Sequence, residues 1–389
     1  MLLGMGLDRA VYSNMRLFAP RERYPQEARV ALTPPAVEQL TRLGLGVTVE
    51  AGLGATLGID DASYLRSGAV IGHSAGEADI VVRLRSPQLD EIRTQPSGSV
   101  AVGFFEPFFQ PELVKAMVET ELSALCMELI PRTTLAQKMD ALSSQASLAG
   151  YAAVIVAAER IDKVLPMMST PAGTITPARV FVIGAGVAGL QAIATARRLG
   201  ARVEAFDTRP AAQEQIASLG AKPLVIDLGA TGEAKGGYAQ ALTPEQLMRQ
   251  REAMAKSCAA ADIVITTAQV FGKRAPLLIT AAMVAGMRPG SVIVDLAAGS
   301  GGNVEGIVPD EECLVSGVKL IGLSNLPGKV ARDASQLYAN NIVSLLTYLW
   351  DPAAKALRFD LNDEITDGAL LVHGGRIRHE GVRAVVEGS

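Results

Sequence analysis

Val180-Phe181-Val182-Ile183-Gly184-Ala185-Gly186-Val187-Ala188-Gly189 is the stretch on which the fold turns. Its first four residues form a short apolar, β-branched run, the pattern of a buried parallel strand. The next six spell G-x-G-x-x-G, and residues 187–199 read as a helix closed by Gly200. A second strand, Arg202–Phe206, ends on Asp207. In that setting the first glycine permits the tight turn and the second lets the backbone approach a pyrophosphate. The third allows helix and strand to pack closely. Free N–H groups and the positive end of the helix dipole then face the phosphates. Asp207 lies about 20 residues on, where a carboxylate can accept both ribose hydroxyls. Its charge would repel a 2′-phosphate and so favours NAD(H) over NADP(H), while Arg209 two residues later works against that preference. With strand, turn, helix and acid in register, the reading is a dinucleotide site.

Outward from this unit, strands and helices alternate, which implies mostly parallel sheets. Ahead of it, strands are expected at 16–19, 47–50, 80–84, 100–104 and 122–127, with helices at 60–68 and 111–120. A charged loop occupies 21–29, and Thr33-Pro34 opens a helix, hydroxyl cap followed by proline, that Gly44 ends. This region carries no glycine fingerprint. A polar loop at 131–140 leads into a long apolar helix at 141–164, and 169–177, rich in Pro, Gly and Thr, reads as a loop. After Asp207 come a helix at 211–219, a strand at 223–226 and the glycine-rich segment 227–238 with Tyr238 at its tip. That segment reads as a surface loop or as a lid over ligand. Thr243-Pro244 starts another helix, followed by strands at 263–266 and 291–295. Residues 266–268 and 296–302 then fall at strand C-terminal ends, where doubly wound sheets place ligands. A second long helix at 333–350 is stopped by Asp351-Pro352. The expected architecture is α/β: two doubly wound Rossmann-like domains, joined by two long helices. One is 15–140 with 335–389, the other 141–334.

A chain of 389 residues, 49% hydrophobic and 20% charged, suits a two-domain globular protein. A net charge of -4 gives no reason to expect nucleic acid as a partner. Three scattered cysteines (Cys126, Cys258, Cys313) offer neither a disulfide framework nor a metal cluster and read as small buried apolar residues. No run reaches the ~18 apolar residues of a spanning helix, and the N-terminus carries no signal pattern. A soluble, cytoplasmic protein is expected, with 1–14 an extension and Met15 an older start.

Dehydrogenases that oxidise alcohols or amines need a proton acceptor near the reacting carbon, most often histidine. The three here (His73, His373, His379) read as surface residues, and no metal-ligand spacing is present. What the chain offers instead is Arg132, Gln137 and Asp140, with Ser143 just inside the following helix. These groups could hold a nicotinamide carboxamide. They could equally be helix-capping and solvated loop groups.

The motifs resemble domain I, the NAD(H)-binding component, of the proton-translocating (Re/Si-specific) nicotinamide nucleotide transhydrogenases, and more distantly the alanine dehydrogenases. The likeness runs from Arg16 to about Val372. It rests on residues 29–34, 131–132, 140–144, 184–189, 206–210, 294–298 and 335–338. Alanine dehydrogenases share the surroundings of Arg29 and Arg83 (a lysine in theirs). They also require a histidine where this chain has Phe105-Glu106-Pro107, and an aspartate where it has Gly299-Ser300. The resemblance therefore implies a transhydrogenase subunit over an amino-acid dehydrogenase or a non-catalytic NAD(H)-sensing module. It implies that Arg132, Gln137, Asp140 and Ser143 orient the dihydronicotinamide, with Thr133 beside them. Gly184, Ala185, Gly186, Val187 and Gly189 would hold the pyrophosphate, and Asp207, Thr208 and Arg209 the adenosine ribose. Tyr238 would close over the nucleotide, and Thr267 and Gln269 would lie along the adenosine side. It further implies NADP(H) on a partner domain, a membrane-spanning subunit that moves protons, a homodimer, and a cytoplasmic location at the inner face of the membrane.

Overall fold

The computed structural model describes residues 15–229 and 242–388, so the N-terminal extension and Tyr238 lie outside the described residues. The chain divides into two compact units, Met1–Leu142 with Ala331–Ser389, and Ser143–Val330.

In the first unit the strands lie in the order Arg376–Ile377, Leu370–His373, Ser123–Cys126, Val100–Gly103, Ile80–Val82, Arg16–Ala19, Gly46–Glu50, Val70–Gly72. All neighbours are parallel except the pairings of the last hairpin, Leu370–His373 and Arg376–Ile377. The order reverses direction between Arg16–Ala19 and Ile80–Val82, the switch point of a doubly wound sheet. Its central strands are buried on both faces (Leu17, Ile80, Val102, Leu125), which explains their continuous apolar runs. Helices Pro34–Leu43 and Ala331–Leu349 cover this core with Val37, Leu40, Tyr338, Ile342 and Leu346.

The second unit repeats the plan: Lys222–Pro223, Arg202–Phe206, Arg179–Ile183, Ile263–Thr266, Val292–Asp295, Val318–Ile321, Glu312–Val315. Only the Glu312–Val315 edge strand is antiparallel, and the switch point falls between Arg179–Ile183 and Ile263–Thr266. Two doubly wound Rossmann-like sheets are therefore present. Helix Val187–Arg198 covers one face. The other is covered by Pro244–Ala260, which starts with a capping box between Thr243 and Gln246.

Several local expectations are corrected. Thr33 precedes its helix without capping it: its hydroxyl donates to Gln336 Oε1 at 3.1 Å, a partner 303 residues away. The long helix is Ala141–Arg160, shorter than 141–164. Its length and mean hydropathy of 1.4 are those of a possible membrane span. Its Ala152, Ala153, Val154, Val156 and Ala157 instead belong to the core of the second unit, where Gly150 lets the Ala188 carbonyl approach. Residues 169–177 are not an unstructured loop, since Met168–Thr170 and Gly173–Ile175 pair as an exposed antiparallel hairpin. The strand expected at 223–226 pairs only over Lys222–Pro223, because Asp227 begins an Asx turn with Gly229 soon afterwards. The second long helix is Ala331–Leu349, and Trp350–Asp351 pairs with Ala356–Leu357.

Candidate functional site

The turn after strand Arg179–Ile183 separates its three glycines by cause. Gly184 sits at φ +96°, a conformation that side chains resist, and a Cβ there would meet Thr267 Oγ1 at 2.4 Å. At Gly189 a Cβ would stand 1.8 Å from the Gly184 carbonyl oxygen, which fixes the close approach of helix to strand. Gly186 is different. Its backbone is ordinary extended chain (φ -76°, ψ -167°), and a Cβ would meet nothing within 4 Å among the described residues. The fold itself gives no reason for a glycine at Gly186; an approaching ligand backbone would. Gly186 is also the N-cap of Val187–Arg198, and no side chain caps that helix. The first-turn N–H groups are thus offered outward, as a pyrophosphate requires. These residues fit a dinucleotide.

At the end of the next strand, Asp207 Oδ2 accepts from Ala185 N at 2.7 Å and ties the glycine turn to the acid. Asp207 Oδ1 accepts from Arg209 N at 2.8 Å. The Arg209 guanidinium closes on both oxygens, through Nε at 3.0 Å and Nη2 at 3.1 Å. Thr267, after strand Ile263–Thr266, donates its hydroxyl toward the carbonyls of Ile183 and Gly184, each at 3.2 Å. Gly184, Ala185, Gly189, Asp207, Arg209 and Thr267 are therefore one hydrogen-bonded and packed cluster. Gln269 stands farther along, exposed, with Nε2 donating to Leu296 O at 3.1 Å.

Behind Thr267 and Gln269 lies a network with no role in the reading of the sequence. Asp295 is wholly buried and accepts from Thr266 Oγ1 at 2.8 Å, Ala297 N at 2.9 Å and Asn303 N at 2.6 Å. Burial pushes its carboxyl above the usual range, against the pull of those donors. Asn303 in turn donates to the carbonyls of Ala268 and Pro276 at 2.8 Å and accepts from Ala268 N at 3.1 Å. Asp295 and Asn303 thus fix the chain after two neighbouring strands. An acid ending the apolar run 292–294 was the available signal.

In the first unit, Arg132, Thr133, Gln137 and Asp140 share one loop. Ala136 and Met139 bury into that unit's core, and Gln137–Met139 forms a 3-10 turn. Asn341 Nδ2, from helix Ala331–Leu349, donates to Lys138 O at 2.8 Å. This anchoring leaves Arg132 and Gln137 exposed, with Asp140 half-buried. Ser143 lies in the first turn of the next helix.

The switch point of the first unit is filled by the chain's own charges, so the loop 21–29 is not simply solvated. Glu22 accepts from Leu84 N at 2.7 Å and Arg85 N at 3.0 Å, and burial pushes its carboxyl up from 4.5 to about 7. Glu27 and Arg29 form a buried bidentate pair at 2.7 and 2.8 Å. Arg83 donates to Gln95 Oε1 at 3.1 Å, and burial holds its guanidinium below its ordinary value. Glu128 accepts from Phe105 N at 2.8 Å and Glu106 N at 2.7 Å, while the Cys126 thiol donates to its other oxygen at 3.0 Å. Cys126 is therefore a hydrogen-bonding partner, not only an apolar filler.

Two histidines also differ from expectation. His373 hydrogen-bonds Ser123 Oγ at 2.9 Å and meets Phe359 edge-on, and His379 caps helix Glu380–Glu387 by accepting from Val382 N. Only His73 is exposed. No group of three potential metal ligands occurs among the described residues.

Two family models cover most of the chain: the alanine dehydrogenase/PNT N-terminal domain over residues 18–149 and the C-terminal domain over 153–380. An NAD(P) transhydrogenase subunit alpha chain of Rhodospirillum rubrum is 43% identical over 376 residues, covering 94% of this chain and 98% of that protein. The crystal structure of a transhydrogenase from Sinorhizobium meliloti superposes with a TM-score of 0.82 at 43% identity, over 94% of this chain and 99% of that one. An L-alanine dehydrogenase structure gives 0.80 at 26% identity, over 96% and 99%.

Proposed function

The chain belongs to the alanine dehydrogenase/PNT family, on the side of its NAD(P) transhydrogenase alpha subunits, and we propose that it binds NAD(H) and exchanges hydride with NADP(H) on a partner domain. The observation that carries the reading is Gly186, whose glycine is required by an approaching pyrophosphate and by nothing else near it. Bound NADH supplies the hydride. Ala185 to Val187 present N–H groups to the phosphates, and Asp207 to Arg209 take the adenosine ribose, with Thr267 and Gln269 on the adenosine side. Arg132, Gln137, Asp140 and Ser143, beside Thr133, fix the dihydronicotinamide.

Direct transfer between two nicotinamides releases no proton from the reacting carbon, so the protein's work is positioning and exclusion of water. The chain's composition supports this. Where the resemblance to alanine dehydrogenases calls for a histidine, Phe105 and Glu106 give their N–H groups to Glu128. Where it calls for an aspartate there is Gly299, whose Cβ position abuts Ser324. Membrane subunits would couple transfer to proton movement, and this chain, as a homodimer, would attach to them at the cytoplasmic face.

The test is hydride transfer from NADH on the purified chain to NADP⁺ on a family NADP(H)-binding component, with L-alanine and NAD⁺ as control. Transfer should fall by about 10²-fold in Gln137→Asn or Asp140→Asn, as expected for misplacement near 1 Å. Alanine-dependent NADH formation would overturn the proposal in favour of an amino-acid dehydrogenase. Tight NADH binding with no transfer would leave a sensing module.

A further inference from the structure

We propose that Arg209 is an internal competitor for the adenosine-ribose position. It lowers the affinity for NAD(H) and blunts the site's discrimination against NADP(H). The inference rests on the NAD(H) reading above and deepens it.

An ionised carboxylate has about four acceptor positions, and at Asp207 four donors already point at it. Two are main-chain N–H groups, of Ala185 at 2.7 Å and Arg209 at 2.8 Å. They are fixed by the turn and by the local Asx geometry. The other two are Nε and Nη2 of Arg209, at 3.0 and 3.1 Å. Side-chain exposure is 7% for Asp207 and 15% for Arg209, so the guanidinium also covers the carboxylate. A ribose diol brings two O–H donors of its own. It can reach Asp207 only by replacing the two donors that are able to leave, and those belong to the Arg209 side chain.

The same guanidinium donates from Nη2 to the Ala185 carbonyl at 3.2 Å. It therefore fastens the glycine turn to the end of the second strand, and its departure frees both ends of the ribose position together. Arginine is suited to this role because its planar fork matches the carboxylate in two places, which a lysine cannot do. Once displaced, the cation stays near the 2′ position, where it offsets the repulsion between Asp207 and a 2′-phosphate. Removing Arg209 should therefore tighten NADH and deepen discrimination against NADPH.

Calorimetric titration of the purified chain with NADH, NADPH, ADP and 2′,3′-dideoxy-ADP tests this. Arg209→Ala should tighten NADH and ADP by about three- to tenfold, the value of a partly exposed ion pair. It should leave 2′,3′-dideoxy-ADP within about twofold and weaken NADPH relative to NADH. Arg209→Lys, which keeps the charge and loses the fork, should fall between wild type and alanine. In an Asp207→Asn background, Arg209→Ala should change NADH affinity by less than about twofold. Unchanged or weaker NADH binding in Arg209→Ala, with normal binding in wild type, would overturn the competitor role and leave the NAD(H) reading standing. A wild-type chain that binds neither NADH nor ADP would overturn that reading itself.

Discussion

The switch points of the two sheets lie in the same place and are finished in opposite ways. In the first unit, between Arg16–Ala19 and Ile80–Val82, the chain answers its own strand ends with side chains. Glu22 takes the N–H groups of Leu84 and Arg85, and Glu27 takes Arg29. In the second, between Arg179–Ile183 and Ile263–Thr266, it places glycines, leaves a helix start uncapped by any side chain, and keeps Gly186 facing open space. Strand order creates the crevice in both. What the crevice can bind depends on which donors and acceptors the chain has left over.

The largest expected effect comes from separating two glycines of one turn. Gly189→Ala should cost about 3 kcal/mol in urea unfolding, because its Cβ would enter the Gly184 carbonyl. Gly186→Ala should stay within about 0.5 kcal/mol of wild type yet weaken NADH at least about tenfold, through lost charge-assisted contacts. Equal stability losses in the two would break the contrast between a glycine the fold needs and one only a ligand needs.

Next comes the filled switch point. Glu22 ionises near 4.5 when unfolded and at about 7 when folded, raised by burial and by Glu27, and lowered by its two backbone donors and Arg83. Between those values the native state holds a proton that the unfolded state has lost. Stability should therefore fall as pH rises from 4.5 to 7, by on the order of 2 kcal/mol, and be flat above. Glu22→Gln should flatten that slope in chemical denaturation at pH 5 and pH 8. An unchanged slope would mean that the first crevice is not sealed by a strained acid.

The smallest effect distinguishes two helix starts that look alike in sequence, Thr33-Pro34 and Thr243-Pro244. Thr243 caps the Gln246 N–H, and Thr33 bonds Gln336 instead. Thr243→Val should cost about 1 kcal/mol and Thr33→Val about half that, by thermal unfolding. The reverse order would show that the Gln336 contact matters more than a true cap.

Much of the fold was legible because its signals are local. The strand and glycine run at 180–189 places the second sheet's centre, and apolar runs bounded by Gly and Pro place the other central strands to within a residue or two. The misses share a cause. The hairpin Met168–Thr170 with Gly173–Ile175 has no apolar face to bury, so its sequence reads as loop. Glu22, Glu128 and Asp295 read as ordinary acids because their partners lie 22 to 63 residues away or at strand ends that only the sheet creates.

The sequence by itself determined the two doubly wound sheets, the glycine turn and the acid that ends its second strand. Each depends on spacing within a few turns of chain. Only the tertiary structure decided which polar groups remain available. It closed Arg209 over Asp207, filled the first crevice with Glu22 and Glu27, and left Gly186 open. The reason is physical: burial and hydrogen-bond satisfaction depend on all neighbours in space, and a linear pattern records only those along the chain.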